Sequence, residues 1–346
     1  MRLIKTLLFT FFTLIGTFTL SAQDIHYTLF DMSPLALNPA LTGAFEGTAR
    51  IGGIYRDQWA SIIDNQYTTP TFYIDAPIVR GIRKQDWIGI GVSFFQDEAG
   101  SLSLQTSGAL FSISYHLALK KDQSSVLTLG LQGGRVSTEV NLEGALDGEL
   151  LQGQVDGNAN AGGEFTSGSG TMMPNENYFD IGVGLLYRSQ MNEKTNLEIG
   201  VSGGHVTSPQ FSLVTGGEQG ERPIRINAFA SVGYGLNERW GIQPKLFFQN
   251  TGGFSETYIQ AWGNYLVNKE DDFTLNFGLG YRIGDAAKTL LGADYKGFRA
   301  GLAYDITLSS LSEVNNGQGA FEIALSYILK IYKDPVVKPA VFCPKF

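Results

Sequence analysis

Residues suited to acid–base, thiol or metal chemistry are scarce in this chain. There are three histidines, His26, His116 and His205, and a single cysteine, Cys343. One cysteine excludes an internal disulfide framework and a multi-cysteine metal site. Asp156, Asn158 and Asn160 have calcium-loop spacing, but Ala161 stands at the turn glycine and Ser167 at the bidentate glutamate. Gly182-Val183-Gly184 lacks both the third glycine and the βαβ context of a dinucleotide loop. A Ser–His–acid hydrolase would have to draw on one of the three histidines, and no strand–helix elbow is legible to present its serine. The expectation is therefore a non-enzymatic protein with no catalytic residues, no metal and no cofactor.

The elements point elsewhere. Of 346 residues, 43 are glycine and 12% are aromatic, while only 17% are charged, against about 25% in ordinary soluble domains. Lys plus Arg is 25 against 33 for Asp plus Glu, a net charge of −8, which argues against a nucleic-acid partner. Residues 1–22 read as a secretory signal. Arg2 and Lys5 precede an apolar stretch from Thr6 to Leu20, and cleavage is expected after Ala22. Beyond it, no run of 18 apolar residues offers a transmembrane helix.

The dominant pattern is period-2 alternation. Phe273, Leu275, Phe277, Leu279, Tyr281 and Ile283 share one face, with Thr274, Asn276, Gly278, Gly280 and Arg282 on the other. Residues 298–308, 321–331 and 224–236 repeat it. Runs of 11 or so residues exceed the usual globular strand of about 5–6 and match a tilted membrane strand of about 9–11. The second faces carry Gly, Ser, Asn and Thr, which suits a crowded lumen. About fourteen such segments run from 48 to 332, among them 70–76, 178–189 and 289–295. They predict an all-β fold, an antiparallel outer-membrane β-barrel embedded in outer-membrane lipid. Connections alternate between short, charged turns and longer loops, so the long ones are expected outside the cell.

Residues 23–47 are strandless and mildly apolar, and are a candidate lumen plug. Residues 48–332 form the barrel, with a long Gly/Asn/Ser-rich external loop at 141–177. Arg225, Arg282, Arg299, Asp305, Glu322 and Lys330 fall on the lumen face. Residues 333–346 are a basic periplasmic tail, which Pro335, Pro339 and Pro344 bar from regular pairing. Such a tail suits docking onto, or folding back into, something acidic.

Four short motifs carry a resemblance. They are Tyr27-Thr28-Leu29-Phe30, Asn38-Pro39-Ala40-Leu41-Thr42-Gly43, Tyr55-Arg56-Asp57-Gln58-Trp59, and Cys343-Pro344-Lys345-Phe346. In order and spacing they resemble the PorP/SprF family. That resemblance implies an outer-membrane barrel of the type IX secretion and gliding apparatus of Bacteroidota. It further implies support for secretion or surface retention of a large adhesin through its C-terminal sorting domain, and contact with periplasmic components. The motif residues Asn38, Pro39, Gly43, Arg56, Gln58, Trp59, Cys343, Pro344, Lys345 and Phe346 are the candidate partner-binding positions. From residue chemistry alone, Asn38-Pro39 and Gly43 suit turns. The alternative class is a passive porin-like transporter.

Overall fold

The computed structural model describes residues 25–59, 67–80, 83, 85–99, 104–140, 166–167, 170–171, 175–211 and 220–331. Fourteen antiparallel strands close into one barrel. They are β1 (Ala49–Gln58), β2 (Tyr67–Arg80), β3 (Trp87–Ala99), β4 (Leu104–Ala118), β5 (Ser125–Val140), β6 (Asn175–Asn192), β7 (Thr195–Gly204), β8 (Arg225–Gly235), β9 (Trp240–Thr251), β10 (Phe254–Asn268), β11 (Phe273–Arg282), β12 (Ala286–Tyr295), β13 (Phe298–Thr307) and β14 (Gln318–Leu329). Closure comes from β1 pairing with β14, from Ala49 opposite Leu329 to Gln58 opposite Ala320. No helix among the described residues is long and apolar enough to cross a membrane. The strands cross instead, because a closed ladder leaves no unpaired edge in lipid.

Alternation sets which face meets lipid. Leu129, Phe179 and Leu279 are each more than 60% exposed on the outside. Thr128 and Asp180, next to the first two, and Asn276, three residues before Leu279 on the opposite face, are buried inside. Prolines fall where the ladder yields. Pro77 sits at a register shift between β2 and β3, and the β8–β9 pairing skips the stretch that contains Pro244, as a residue without an N–H requires.

The connections at one end of the barrel, 81–86, 119–124, 193–194, 236–239, 269–272 and 296–297, are short. The other end carries the longer 141–174, 205–224 and 308–317. Strand β6 begins at Asn175, three residues before the 178 expected from sequence. Most of 141–177, with its calcium-like spacing, lies outside the described residues. So does the tail 333–346.

The lumen is filled. Residues 25–44 fold back through it in three single turns, Phe30–Met32, Pro34–Leu37 and Pro39–Leu41. Thr28, Ser33, Leu35, Asn38, Ala40 and Thr42 are fully buried. Phe30 stacks on Phe247 of β9 with centroids 5.0 Å apart. Leu29 and Met32 pack with Ile54, Trp262 and Leu290. Gly43 turns the chain out of the lumen at φ +64°, a conformation that glycine adopts without strain.

Small wall residues make the room. A Cβ on Gly130 of β5 would overlap the backbone of Pro39 and Ala40. Gly130→Val is therefore expected to overpack the lumen and cost about 1–3 kcal/mol. Gly263→Val, whose Cβ would meet nothing nearer than 3.8 Å, is expected to be neutral. The unfolding temperature of the heat-modifiable band on semi-native gels compares the two.

Candidate functional site

A segment without strand pairing, buried inside a barrel, must have its N–H and C=O groups bonded by wall side chains. The wall supplies them. Glu322 of β14 accepts from the Thr28 and Leu29 backbone N–H groups, one per oxygen, at 2.7 Å each. Asp305 of β13 accepts from the Thr28 hydroxyl at 2.7 Å. Gln260 of β10 donates to the Thr28 carbonyl at 2.7 Å. Ser202 and Asn227 both donate to the Leu37 carbonyl, at 2.8 and 3.1 Å. Gln132 donates to the Leu35 carbonyl at 3.2 Å. Near the exit, Asp75 accepts from Gly43 N–H at 2.7 Å. The Trp87 indole donates to the Gly43 carbonyl at 3.0 Å, and Arg188 donates to the Ala44 carbonyl.

Asn38 works in the opposite direction, from plug to wall. Its Nδ2 donates to the Leu185 and Val201 carbonyls at 3.1 Å each. Its Oδ1 accepts from Ala40 N–H at 2.8 Å, which caps the following turn. It reaches the wall where β6 and β7 present Gly184 and Gly200.

Most of the charges around Thr28 are paired. Arg56 of β1 meets Glu322 at 2.5 Å, and Arg282 of β11 meets Asp305 at 2.8 Å. Arg56 also lies 3.8 Å from Asp305, and Arg282 lies 3.7 Å from Glu256. Lys288 Nζ has no hydrogen-bond partner among the described residues. It sits 3.4 Å over the Tyr258 ring, a cation–π contact, and the Tyr258 hydroxyl donates to Glu256. Nearer the exit, Arg50 grips Asp75 through Nε and Nη2, at 2.9 and 2.8 Å, and donates to the Leu41 carbonyl. Lys245 of β9 meets Asp31 of the plug at 2.5 Å. Burial pushes the Asp31 carboxyl up, but the Lys245 ammonium outweighs it and holds the group below the ordinary carboxylate value. Burial drives the Tyr27 phenol far above its usual range, and its hydroxyl bonds to the Thr71 hydroxyl at 2.5 Å.

The structure thus brings Arg56, Arg282, Asp305 and Glu322 into one cluster around Thr28. Asn38, Pro39 and Gly43 are plug residues, and Gln58 accepts from Arg56 at 3.0 Å. Trp59 packs edge-on against Tyr67 at the long-connection end, with centroids 5.4 Å apart. Arg225 is half-buried where β8 starts. Arg299 pairs with Asp294 at 2.6 Å near the short-turn end, far from the cluster. Lys330 is exposed just past β14. Cys343, Pro344, Lys345 and Phe346 lie outside the described residues. His116 directs its ring nitrogens at Thr128, Ser114 and the Thr42 carbonyl, 2.9 Å away in each case. Ser202 sits in a Gly200–Gly204 G-x-S-x-G string, yet that string is β7 itself, not an elbow. Sequence reasoning missed Asp75, Lys245, Glu256 and Lys288. Asp75, Lys245 and Glu256 had a legible signal, a charge at an inward position of an alternating strand, whereas Lys288 precedes the stretch whose alternation is legible.

Fold and lumen together define an outer-membrane β-barrel with an internal plug. The family model of the type IX secretion system membrane protein PorP/SprF matches residues 19–327, and the chain belongs to that family. No curated protein matches it. Among solved structures, the Ralstonia pickettii toluene transporter TbuX is 12% identical, with 86% of this chain and 94% of that one covered and a TM-score of 0.51. A Pseudomonas aeruginosa FadL homologue is 13% identical, covering 85% and 94%, with a TM-score of 0.45. At 12% identity the likeness to TbuX is one of fold.

Two outcomes are expected. Glu322→Ala strips Arg56 and two plug N–H groups of their acceptor and should cost about 3–5 kcal/mol, as breaking a buried pair does. Glu322→Gln, which keeps one acceptor oxygen, should cost less. Denaturant unfolding in lipid vesicles measures both. The depressed Asp31 carboxyl contributes stability that is full above its ordinary value and is lost as pH falls through its folded one. The wild-type unfolding midpoint should therefore drop below about pH 4 by more than that of Lys245→Met.

Proposed function

We propose that this protein is a non-enzymatic type IX secretion barrel that supports secretion or surface retention of a large adhesin through its C-terminal sorting domain. Periplasmic components of the same machine are its further partners. The observation that carries the reading is the filled lumen in a chain of this family. Side chains from β1, β4–β5, β7–β10 and β13–β14 bond the plug, and a barrel so occupied suits holding a partner better than passing a solute. The same observation weighs against the passive transporter.

The long connections face outward in this reading, as the usual asymmetry of such barrels has it. Asn38, Pro39, Gly43 and Arg56 are engaged inside the molecule. The outer contact then falls to the rim around Gln58 and Trp59 and to the loops 141–177 and 207–223, with residues 343–346 left for the periplasmic side. Purification from native outer membrane is expected to bring down a large surface protein with a C-terminal sorting domain, and the pure barrel should be silent in planar bilayers. Recovery of generic porins alone, with steady single-channel conductance, would favour the transporter.

A further inference from the structure

On its lipid-facing side the wall between β10 and β14 is not smooth. A trough of about 710 Å³ crosses these five strands. Register sets its shape. One row of outward side chains runs along the hydrogen-bonding direction, with Ala261 opposite Leu279, Leu279 opposite Thr289, Thr289 opposite Tyr304 and Tyr304 opposite Phe321. A second row lies two residues away, with Gly263 opposite Phe277, Phe277 opposite Leu291 and Leu291 opposite Leu302. Both rows line the trough. Its floor is the backbone of Gly278, Leu290 and Ala303. Leu290 and Ala303 bury their side chains in the lumen, and a Cβ on Gly278 would meet Trp262 and Leu290 there.

Those dimensions select the occupant. Two residues along a strand separate the rows by roughly 7 Å, and four strand spacings give a length of roughly 19 Å. A helix with its side chains is about 10–12 Å across and does not enter. An extended peptide would bring N–H and C=O groups that find no partner in lipid. The wall's own backbone groups are used in the ladder, and the Thr289 hydroxyl donates to the Tyr304 carbonyl at 3.3 Å. A single hydrocarbon chain fits both measures and needs no polar partner.

The trough is also continuous with the surface that meets the bilayer. It crosses β11, β12 and β13, each ten residues long, three residues from one end and four from the other. It therefore lies in the hydrocarbon rather than at a headgroup layer. Lipid tails are as apolar as the wall, so what holds a chain there is close packing against both rows and the floor at once.

We propose that this trough is a binding site for one acyl chain of a membrane lipid, held lengthwise across β10–β14 in the middle of the bilayer.

The test is photolabelling of the full-length barrel in phospholipid vesicles. The probe is a phosphatidylethanolamine with a diazirine at mid-chain, and adducts are mapped by peptide mass spectrometry. Phe111 and Ile113, exposed in the middle of β4 on the opposite wall, give the background of passing lipid. Adducts on Leu279, Leu291 and Leu302 should exceed that background at least fivefold. Ala261→Phe with Thr289→Phe fills the trough from its first row. This variant should bring the three leucines down to background and leave Phe111 and Ile113 unchanged. Equal labelling of the two walls in the wild type overturns the proposal. So does trough labelling below that of β4, as a second barrel or a helix seated there would produce. Fivefold labelling that survives in the filled variant overturns it as well.

Discussion

An irregular segment inside a barrel has nowhere to find hydrogen bonds except the wall, and that constraint organises this molecule. Residues 25–44 make few ladder contacts of any kind. Their carbonyls and N–H groups are instead met by Glu322, Gln260, Ser202, Asn227, Gln132, Asp75 and Trp87. An unmet buried group costs on the order of 1–3 kcal/mol, so plug and wall are mutually dependent. This explains why the inward face is polar. It supplies short donors and acceptors, and it supplies glycines such as Gly130 and Gly184 where the plug backbone comes closest.

The ion pairs have a different role. Arg56–Glu322 ties β1 to β14 across the closing seam, Arg282–Asp305 links β11 to β13 across β12, and both carboxylates also hold Thr28. Desolvation offsets much of their attraction. Their consequence is registry. Glu322 binds two consecutive plug N–H groups and a guanidinium at once, and a plug shifted by one residue could not satisfy all three. Asp31–Lys245 and Arg50–Asp75 repeat this anchoring at two other points along the segment.

Much of the barrel was legible in the sequence because membrane strands alternate between two unlike solvents. Residues 273–283 announce lipid on one face and lumen on the other without tertiary help. The strand ends were harder. β12 begins at Ala286 rather than 289 because Ala286-Ala287-Lys288 has no apolar alternation and is held by pairing with β11 and β13. β2 runs from Tyr67 to Arg80 rather than 70–76 because Pro70 and Pro77 suggest breaks that the ladder absorbs. Within the lumen, Gly43 could be read as a turn from its residue type and family motif. The Arg56–Glu322 contact could not, since its members are 266 residues apart and meet only through the β1–β14 closure.

The plug is part of the folded core rather than a loosely seated stopper. Amide hydrogen exchange on the barrel in lipid nanodiscs, resolved over residues 25–44, tests it most directly. Thr28, Leu29, Ala40 and Gly43, whose amides are bonded to Glu322, Asn38 and Asp75, are expected to exchange as slowly as the strands around them. Exchange of these four amides at the rate of the exposed turns, with the strands still protected, would contradict it.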